Sequence, residues 1–129
     1  MHVLQSRVLL VPSDFDVSVA FYEQRLGLVR YREWGQAPHR GVVFFLGGGY
    51  LELSEGAAAD PPAGVRLWLQ VADVAAVHAE MQAAGVAVAE QPARQPWGLV
   101  EMVLHDPDGL ELVVIETPDD HPLRRDTRS

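Results

Sequence analysis

Several classes of function are excluded by what this 129-residue sequence lacks. It has no cysteine, so disulfides, thiolate metal sites and cysteine nucleophiles are ruled out. Positive charge is scarce, because 10 lysine and arginine residues stand against 18 acidic ones and leave a net charge of −8. Nucleic acids and anionic membranes both reward clustered positive charge, so we predict neither as a partner. The sequence has no signal-peptide pattern and no apolar run near the roughly 20 residues that span a bilayer, which favours a cytoplasmic location.

The sequence contains one structural pattern written twice. In each copy an apolar strand is followed by a helix that begins at an aspartate and ends at a glycine, the residues favoured at those two positions. Arg7 stands seven residues before Asp14, and Arg66 stands seven residues before Asp73. Two copies are too few for a solenoid. The pattern instead predicts two βαβββ modules whose sheets enclose a cavity.

These modules divide the chain into segments. We predict a single domain over residues 1–129, with a first module in 5–55, a linker in 56–64, a second module in 65–116 and a polar tail in 117–129. In the first module the predicted strands are 6–12, 28–34, 41–46 and 50–54, with a helix from 14 to 27. In the second they are 67–71, 99–105 and 110–116, with a helix from 73 to 85 and a loop at 90–98.

Three segments carry a family resemblance. They are Ala20-Phe21-Tyr22-Glu23, Leu26-Gly27-Leu28 and Asp106-Pro107-Asp108-Gly109. In this order and within the repeat, they resemble the vicinal oxygen chelate superfamily, which includes glyoxalase I, extradiol dioxygenases, fosfomycin-modifying enzymes and bleomycin-resistance proteins. The segment Gln95-Pro96-Trp97-Gly98, followed by Glu101, is similar to the bleomycin-resistance branch. The resemblance implies an α+β fold with a curved, partly closed mixed sheet around a cavity, and a homodimer.

Metal-using members of this superfamily carry a ligand on the first and last strand of each repeat. The matching positions here are Arg7, Glu52, Arg66 and Val113. Arginine is always protonated and only donates hydrogen bonds, and valine has no ligand atom. A shift of register could replace Val113 by Glu111, but two carboxylates without an imidazole make a poor transition-metal site. We therefore predict no metal and no cofactor.

The two arginines allow two interpretations. They can form an internal ion-pair network with Glu52 that takes the place of the metal. They can also form a fork for a ligand carboxylate, phosphate or polarised oxygen, with Glu52 orienting one of them. A network with spare donors would serve both purposes.

Tryptophans supply candidate walls for the cavity. Trp68 shares a strand face with Arg66, Trp34 lies near the end of a strand, and Trp97 lies in a predicted loop. Each can be a packing residue or can stack on a flat ligand. The complete set of candidate ligand-binding residues is Arg7, Trp34, Glu52, Arg66, Trp68, Trp97, Glu101 and Val113.

The resemblance leads to three functional hypotheses. The first is metal-independent binding of a small, aromatic or amphipathic compound, as in a drug-sequestering protein. The second is a metal-dependent lyase, isomerase or dioxygenase. The third is a module whose cavity is vestigial. No catalytic residue can be assigned, and the sequence gives no role to His39 or His105.

Overall fold

The computed structural model describes residues 1–57, 60 and 63–121. The chain divides into two compact units, Met1–Pro62 and Ala63–Ser129. Each unit has the order strand, helix and three further strands, which confirms the predicted α+β fold of two βαβββ modules. Of the predicted linker, residues 58–59 and 61–62 lie outside the described residues, as does the tail from 122 onwards.

The first unit consists of β1 (Arg7–Leu10), α1 (Phe15–Ala20), a π-helical turn (Phe21–Arg25), β2 (Arg30–Trp34), β3 (Gly41–Leu46) and β4 (Gly49–Ser54). The second consists of β5 (Arg66–Gln70), α2 (Val74–Ala83), β6 (Val88–Arg94), β7 (Val100–His105) and β8 (Glu111–Glu116). Neither α-helix in this described part of the chain has the length and apolar character needed to cross a membrane.

Each unit forms one open, mixed sheet of four strands. The strand orders are β1-β4-β3-β2 and β5-β8-β7-β6. In each sheet the first strand runs parallel to the last, whereas the other pairs are antiparallel. The first strand therefore lies beside the last, and paired residues on these two strands are direct neighbours in the sheet.

The predicted helix starts are confirmed. Asp14 accepts a hydrogen bond from the backbone N–H of Val17, and Asp73 accepts one from Ala76, each at 3.1 Å. These bonds satisfy amides that have no partner within the helix. The equal spacing from Arg7 and Arg66 therefore reflects the same strand-to-helix connection in both units.

The end of the first helix differs from the expectation of a regular α-helix. After Ala20 the chain enters the π-helical turn, in which Leu26 donates to the carbonyl of Phe21, five residues back. The neighbouring residues Phe21 and Tyr22 are both buried, and their rings lie edge to face with centroids 5.1 Å apart. The predicted glycine stop is confirmed at Gly27, which has a φ of +75°.

The predicted loop at 90–98 is wrong over its first half, because β6 extends through Arg94. Its sequence is polar and contains Pro92, which suggested a loop. However, β6 is the edge strand of its sheet. An edge strand tolerates proline and exposed polar residues because one row of its backbone groups needs no partner strand. The pairing with β7 is also irregular, with register shifts around Glu90.

Both units pack their helix against one face of the sheet. The strand residues that alternate toward that face are fully or almost fully buried, and they are Phe44, Leu51 and Leu53 in the first unit and Leu104, Leu112 and Val114 in the second. Phe45, the neighbour of Phe44, points to the opposite face and is 45% exposed. The face away from each helix therefore carries the candidate site residues of β1, β4, β5 and β8.

Candidate functional site

Strand register confirms which positions of the two units are equivalent. Arg7 lies opposite Tyr50 in the first sheet, and Arg66 lies opposite Glu111 in the second. Two residues further on, Leu9 lies opposite Glu52, and Trp68 lies opposite Val113. Glu52 and Val113 therefore occupy the same place in the two sheets, as the sequence predicted.

In the first unit the arginine is tightly paired. Arg7 Nη1 donates to Glu52 Oε1 at 2.8 Å, and its guanidinium lies 5.6 Å from the centre of the Tyr50 ring. Ser54 donates to the other oxygen of Glu52 at 3.1 Å. Both carboxylate oxygens are thus occupied, and the charge of Arg7 is balanced within its own unit. This contact matches the ion-pair interpretation of the sequence for Arg7 and Glu52.

In the second unit the equivalent arginine is loosely held. Arg66 Nη1 lies 3.8 Å from Glu111 Oε2, which is too long for a hydrogen bond, and its side chain is 61% exposed. His105 approaches the other oxygen of Glu111, also at 3.8 Å. Because Val113 replaces the carboxylate found at Glu52, the acidic neighbour of the guanidinium is Glu111, at this longer distance.

The second unit contains a cavity of about 480 Å³ that gathers five of the eight candidate residues. Its floor is apolar, because Val103 and Val113 are only 8% and 5% exposed. The two tryptophans are open to solvent, at 53% for Trp68 and 58% for Trp97. The lining residues are Gly64, Arg66, Trp68, Glu90, Gln95, Trp97, Glu101, Val103 and Val113.

Trp97 is held by contacts that the sequence did not indicate. Its indole N–H donates to Glu101 Oε2 at 2.5 Å. The turn that carries it is closed by a hydrogen bond from Gly98 N–H to the carbonyl of Gln95, and Gly98 has a φ of +94°. His121 Nε2 lies 3.0 Å from the carbonyl oxygen of Trp97. His121, in the predicted polar tail, therefore contacts this turn.

Sequence reasoning missed four residues of the cavity. Val103 could have been found, because it lies two residues after Glu101 on β7 and so shares its face. Glu90 was hidden by the incorrect part of the loop prediction, whereas Gln95 lies in the part of the loop that was predicted correctly. Gly64 belongs to the predicted linker, and no local signal marks it as part of a site.

Trp34 belongs to the first unit, where it lines another cavity of about 490 Å³. The Arg32 guanidinium lies 5.3 Å from its ring centre, and Gly41 packs so closely against the indole that any side chain there would overlap it. The arginines of this cavity are already paired, Arg30 with Glu23 and Glu33, and Arg40 with Asp16 and Glu55. These contacts hold the Trp34 ring in place within the first unit, where it is 38% exposed.

Arg40 joins the start of α1 to the end of β4. It donates to Asp16 Oδ1 at 2.9 Å and to Glu55 Oε1 and Oε2 at 2.9 and 2.8 Å. These bonds lower the pKa of Glu55 to about 2 and raise the pKa of Arg40. The guanidinium also covers the Phe15 ring at 4.7 Å. Phe15, Asp16, Arg40 and Glu55 together form a clasp that joins the start of α1 to the end of β4.

The residues present do not fit the metal site of metal-using members of the superfamily that the sequence resembles. Of the four equivalent positions, only Glu52 offers a ligand atom, and both its oxygens accept hydrogen bonds. Within residues 1–57, 60 and 63–121, no three histidine or acidic side chains form a group that could hold a metal ion.

Comparisons with known proteins agree with the fold. The sequence matches the model of the Glyoxalase/Bleomycin resistance protein/Dioxygenase superfamily over residues 4–114. No curated protein matches it. Among solved structures, TnmS3, an antibiotic binding protein from Streptomyces sp. CB03234, is 25% identical with a TM-score of 0.71, and the match covers 91% of this chain and 100% of that one.

Two further solved structures show the same fold. A superfamily member from Sphaerobacter thermophilus DSM 20745 is 20% identical with a TM-score of 0.69, over 89% of this chain and 98% of that one. A glyoxalase/bleomycin resistance protein/dioxygenase from Nocardioides is 20% identical with a TM-score of 0.72, over 95% of this chain and 89% of that one.

Proposed function

The chain belongs to the glyoxalase/bleomycin resistance protein/dioxygenase superfamily, and on that premise we propose that it binds and sequesters a small aromatic or amphipathic compound without a metal ion. The proposed site is the cavity of the second unit. The likeness to TnmS3, an antibiotic binding protein matched over its full length, supports a binding role.

The observation that carries this proposal is the pair of exposed indoles over an apolar floor. Trp68 and Trp97 line one cavity and are each more than half exposed, although tryptophan is usually well buried. A planar ligand covering both rings would bury on the order of 100–200 Å² of apolar surface. At about 25 cal/mol per Å² this supplies roughly 3–5 kcal/mol before the cost of association. The cavity volume, about 480 Å³, lies in the range of small-molecule sites.

Metal independence is the second part of the proposal. It is supported by the arginines and the valine at the family's ligand positions and by the occupied oxygens of Glu52. Protein purified without a chelator should contain far less than one equivalent of zinc, nickel, manganese or iron. Stoichiometric metal that is lost in Glu52→Gln would contradict this and favour the lyase, isomerase or dioxygenase alternative.

We also propose a homodimer. Both sheets leave apolar side chains exposed on the face away from their helix, among them Leu9, Phe45 and Trp68 at 66%, 45% and 53%. Large exposed apolar patches usually mark an interaction surface. Sedimentation should therefore give a dimer at micromolar concentration, and a monomer of normal stability would contradict this part of the proposal.

A thermal-shift screen with planar antibiotics and aromatic acids tests the binding role. A ligand at a hundred times its Kd should add about 2.7 kcal/mol to the free energy of unfolding. Trp68→Ala and Trp97→Ala should each weaken the ligand that is found. Trp34→Ala removes an indole from the other cavity, and an equal loss there would mean that the first unit also contacts the ligand. No response across the screen would favour a vestigial cavity.

A further inference from the structure

The cavity of the second unit carries more negative than positive charge. Its lining contains one arginine, Arg66, and two carboxylates, Glu90 and Glu101. The charge of Arg66 is shared with Glu111, 3.8 Å away. Among the described residues, Glu90 has no ion-pair partner. A ligand that enters therefore meets uncompensated carboxylates beside one cation that already has an acidic neighbour.

The hydrogen bond between Trp97 and Glu101 adds to this preference. The face of an indole attracts cations through its quadrupole, and tryptophan does so more strongly than the other aromatic side chains. Because the N–H donates to a carboxylate at 2.5 Å, the ring is fixed with a negative charge at its edge. A cation lying on the exposed face of Trp97 gains from the ring and from the carboxylate together.

We infer that this cavity selects a cation: a planar or amphipathic compound whose ammonium, guanidinium or quaternary nitrogen lies against Trp97 or Trp68 and near Glu101 and Glu90. The inference rests on the proposed function, because it names the ligand class of the same cavity. It replaces the anion fork, since an anion held by Arg66 would stand beside Glu111 in a cavity that Glu90 and Glu101 also line. The net charge of −8 favours the approach of cations as well.

Three probes of matched size and different charge test the inference. They are 1-methylquinolinium, a permanent cation; 1-naphthalenemethanol, which is neutral; and 1-naphthoate, an anion. Calorimetric titration of the full chain should give the tightest binding for 1-methylquinolinium and the weakest for 1-naphthoate. Of the three probes, only the cation should bind more weakly as salt is raised from 50 to about 500 mM, because salt screens the attraction between opposite charges.

Variants that remove one charge locate the effect. Glu101→Gln keeps an acceptor for the Trp97 indole and should weaken 1-methylquinolinium by roughly five- to thirtyfold while leaving 1-naphthalenemethanol within about twofold. Glu90→Gln should act in the same direction. Arg66→Met should tighten the cation. Glu80→Gln is the matched control, because Glu80 is exposed on α2 and does not line the cavity.

The possible results separate this inference from the proposed function. Equal affinity for all three probes, lost in Trp68→Ala, would overturn the cation inference and leave the binding site standing. Preference for 1-naphthoate that is lost in Arg66→Met would overturn it in favour of the anion fork. Absence of binding by all three probes would contradict both proposals. A weakening by Glu80→Gln equal to that by Glu101→Gln would show only a general effect of net charge and would also overturn it.

Discussion

The first strand of each unit begins with an arginine, Arg7 or Arg66, and the two units differ in the residues beside it. In the first, Arg7 meets Glu52 at 2.8 Å, and the two side chains are 29% and 16% exposed. In the second, valine takes the place of Glu52 and tryptophan takes the place of Leu9. One replacement removes the tight ion pair, and the other adds an exposed indole. The same backbone thus carries a closed polar contact in one copy and an aromatic cavity in the other.

The ends of the last strands show the same divergence. Glu116, at the end of β8, accepts a hydrogen bond from the Val74 N–H at 2.9 Å and so caps α2 directly. Glu55, which follows β4, reaches α1 only through Arg40, which also binds Asp16. A helix N-terminus attracts negative charge, so a carboxylate near it is favourable in both units. In the first unit Arg40 binds the two acids that lie near this terminus, Asp16 and Glu55.

The largest expected effect comes from the two cores. Phe44 and Leu104 occupy equivalent places opposite Leu51 and Leu112, and both are buried. Phe44→Ala should lower the free energy of unfolding by about 3–5 kcal/mol, and Leu104→Ala by about 2–5 kcal/mol, because each leaves a cavity. Urea unfolding measures both. Phe45→Ala is the matched control, because Phe45 is 45% exposed, and a loss as large as that of Phe44→Ala would contradict the assignment of sheet faces.

A smaller difference in stability is expected between substitutions in the two hairpin turns, the one between β7 and β8 and the one between β3 and β4. Asp106 Oδ1 accepts from the N–H groups of Asp108 and Leu110, each at 2.9 Å. Asp106→Ala should cost about 1.5–3 kcal/mol, because buried amides lose a charged acceptor. The corresponding turn of the first unit is glycine-rich, and a side chain at Gly48 would meet nothing within 4 Å. Gly48→Ala should therefore leave thermal unfolding almost unchanged, and an equal loss in both variants would mean that the turns are held alike.

Arg7→Met should lower the free energy of unfolding by about 1 kcal/mol more than Arg66→Met does. Arg7→Met removes a partly buried hydrogen-bonded ion pair and a contact with the Tyr50 ring, so its melting temperature should fall. Arg66→Met removes only a long, exposed contact and should melt almost like the parent protein. Calorimetry on the two variants measures this difference directly. Equal melting temperatures would show that the tight pairing of the first unit does not stabilise it.

The smallest effect concerns pH. The pKa of Glu55 is lowered to about 2 by its bonds with Arg40, from an ordinary value of 4.5. A depressed carboxyl pKa stabilises the folded state above the ordinary value, and this stabilisation is lost as pH falls from about 4.5 through about 2. Glu55→Gln should therefore flatten the fall of melting temperature in that window, whereas the exposed Glu80→Gln should not. Identical profiles for both variants would contradict the clasp.

Much of the fold could be predicted because its signals are local. Asp14 and Asp73 bond amides three residues away, and the alternation in β5 buries Leu67 while exposing Trp68. The same logic placed three of the candidate residues around one cavity of the second unit. Arg66, Trp68 and Val113 follow from strand period and position within the repeat. The edge strand β6 was missed because a polar strand and a loop have similar compositions.

The sequence by itself therefore determined the two modules and the starts of their helices, because each depends on residue type and short spacing. Tertiary structure decided the partners. Arg66 lies near Glu111, and the carbonyl of Trp97 is contacted by His121, 24 residues further on. Such pairings depend on which strands and turns become neighbours. Which strands become neighbours is decided by the packing of the whole sheet, and this cannot be read from the local spacing of residues in the sequence.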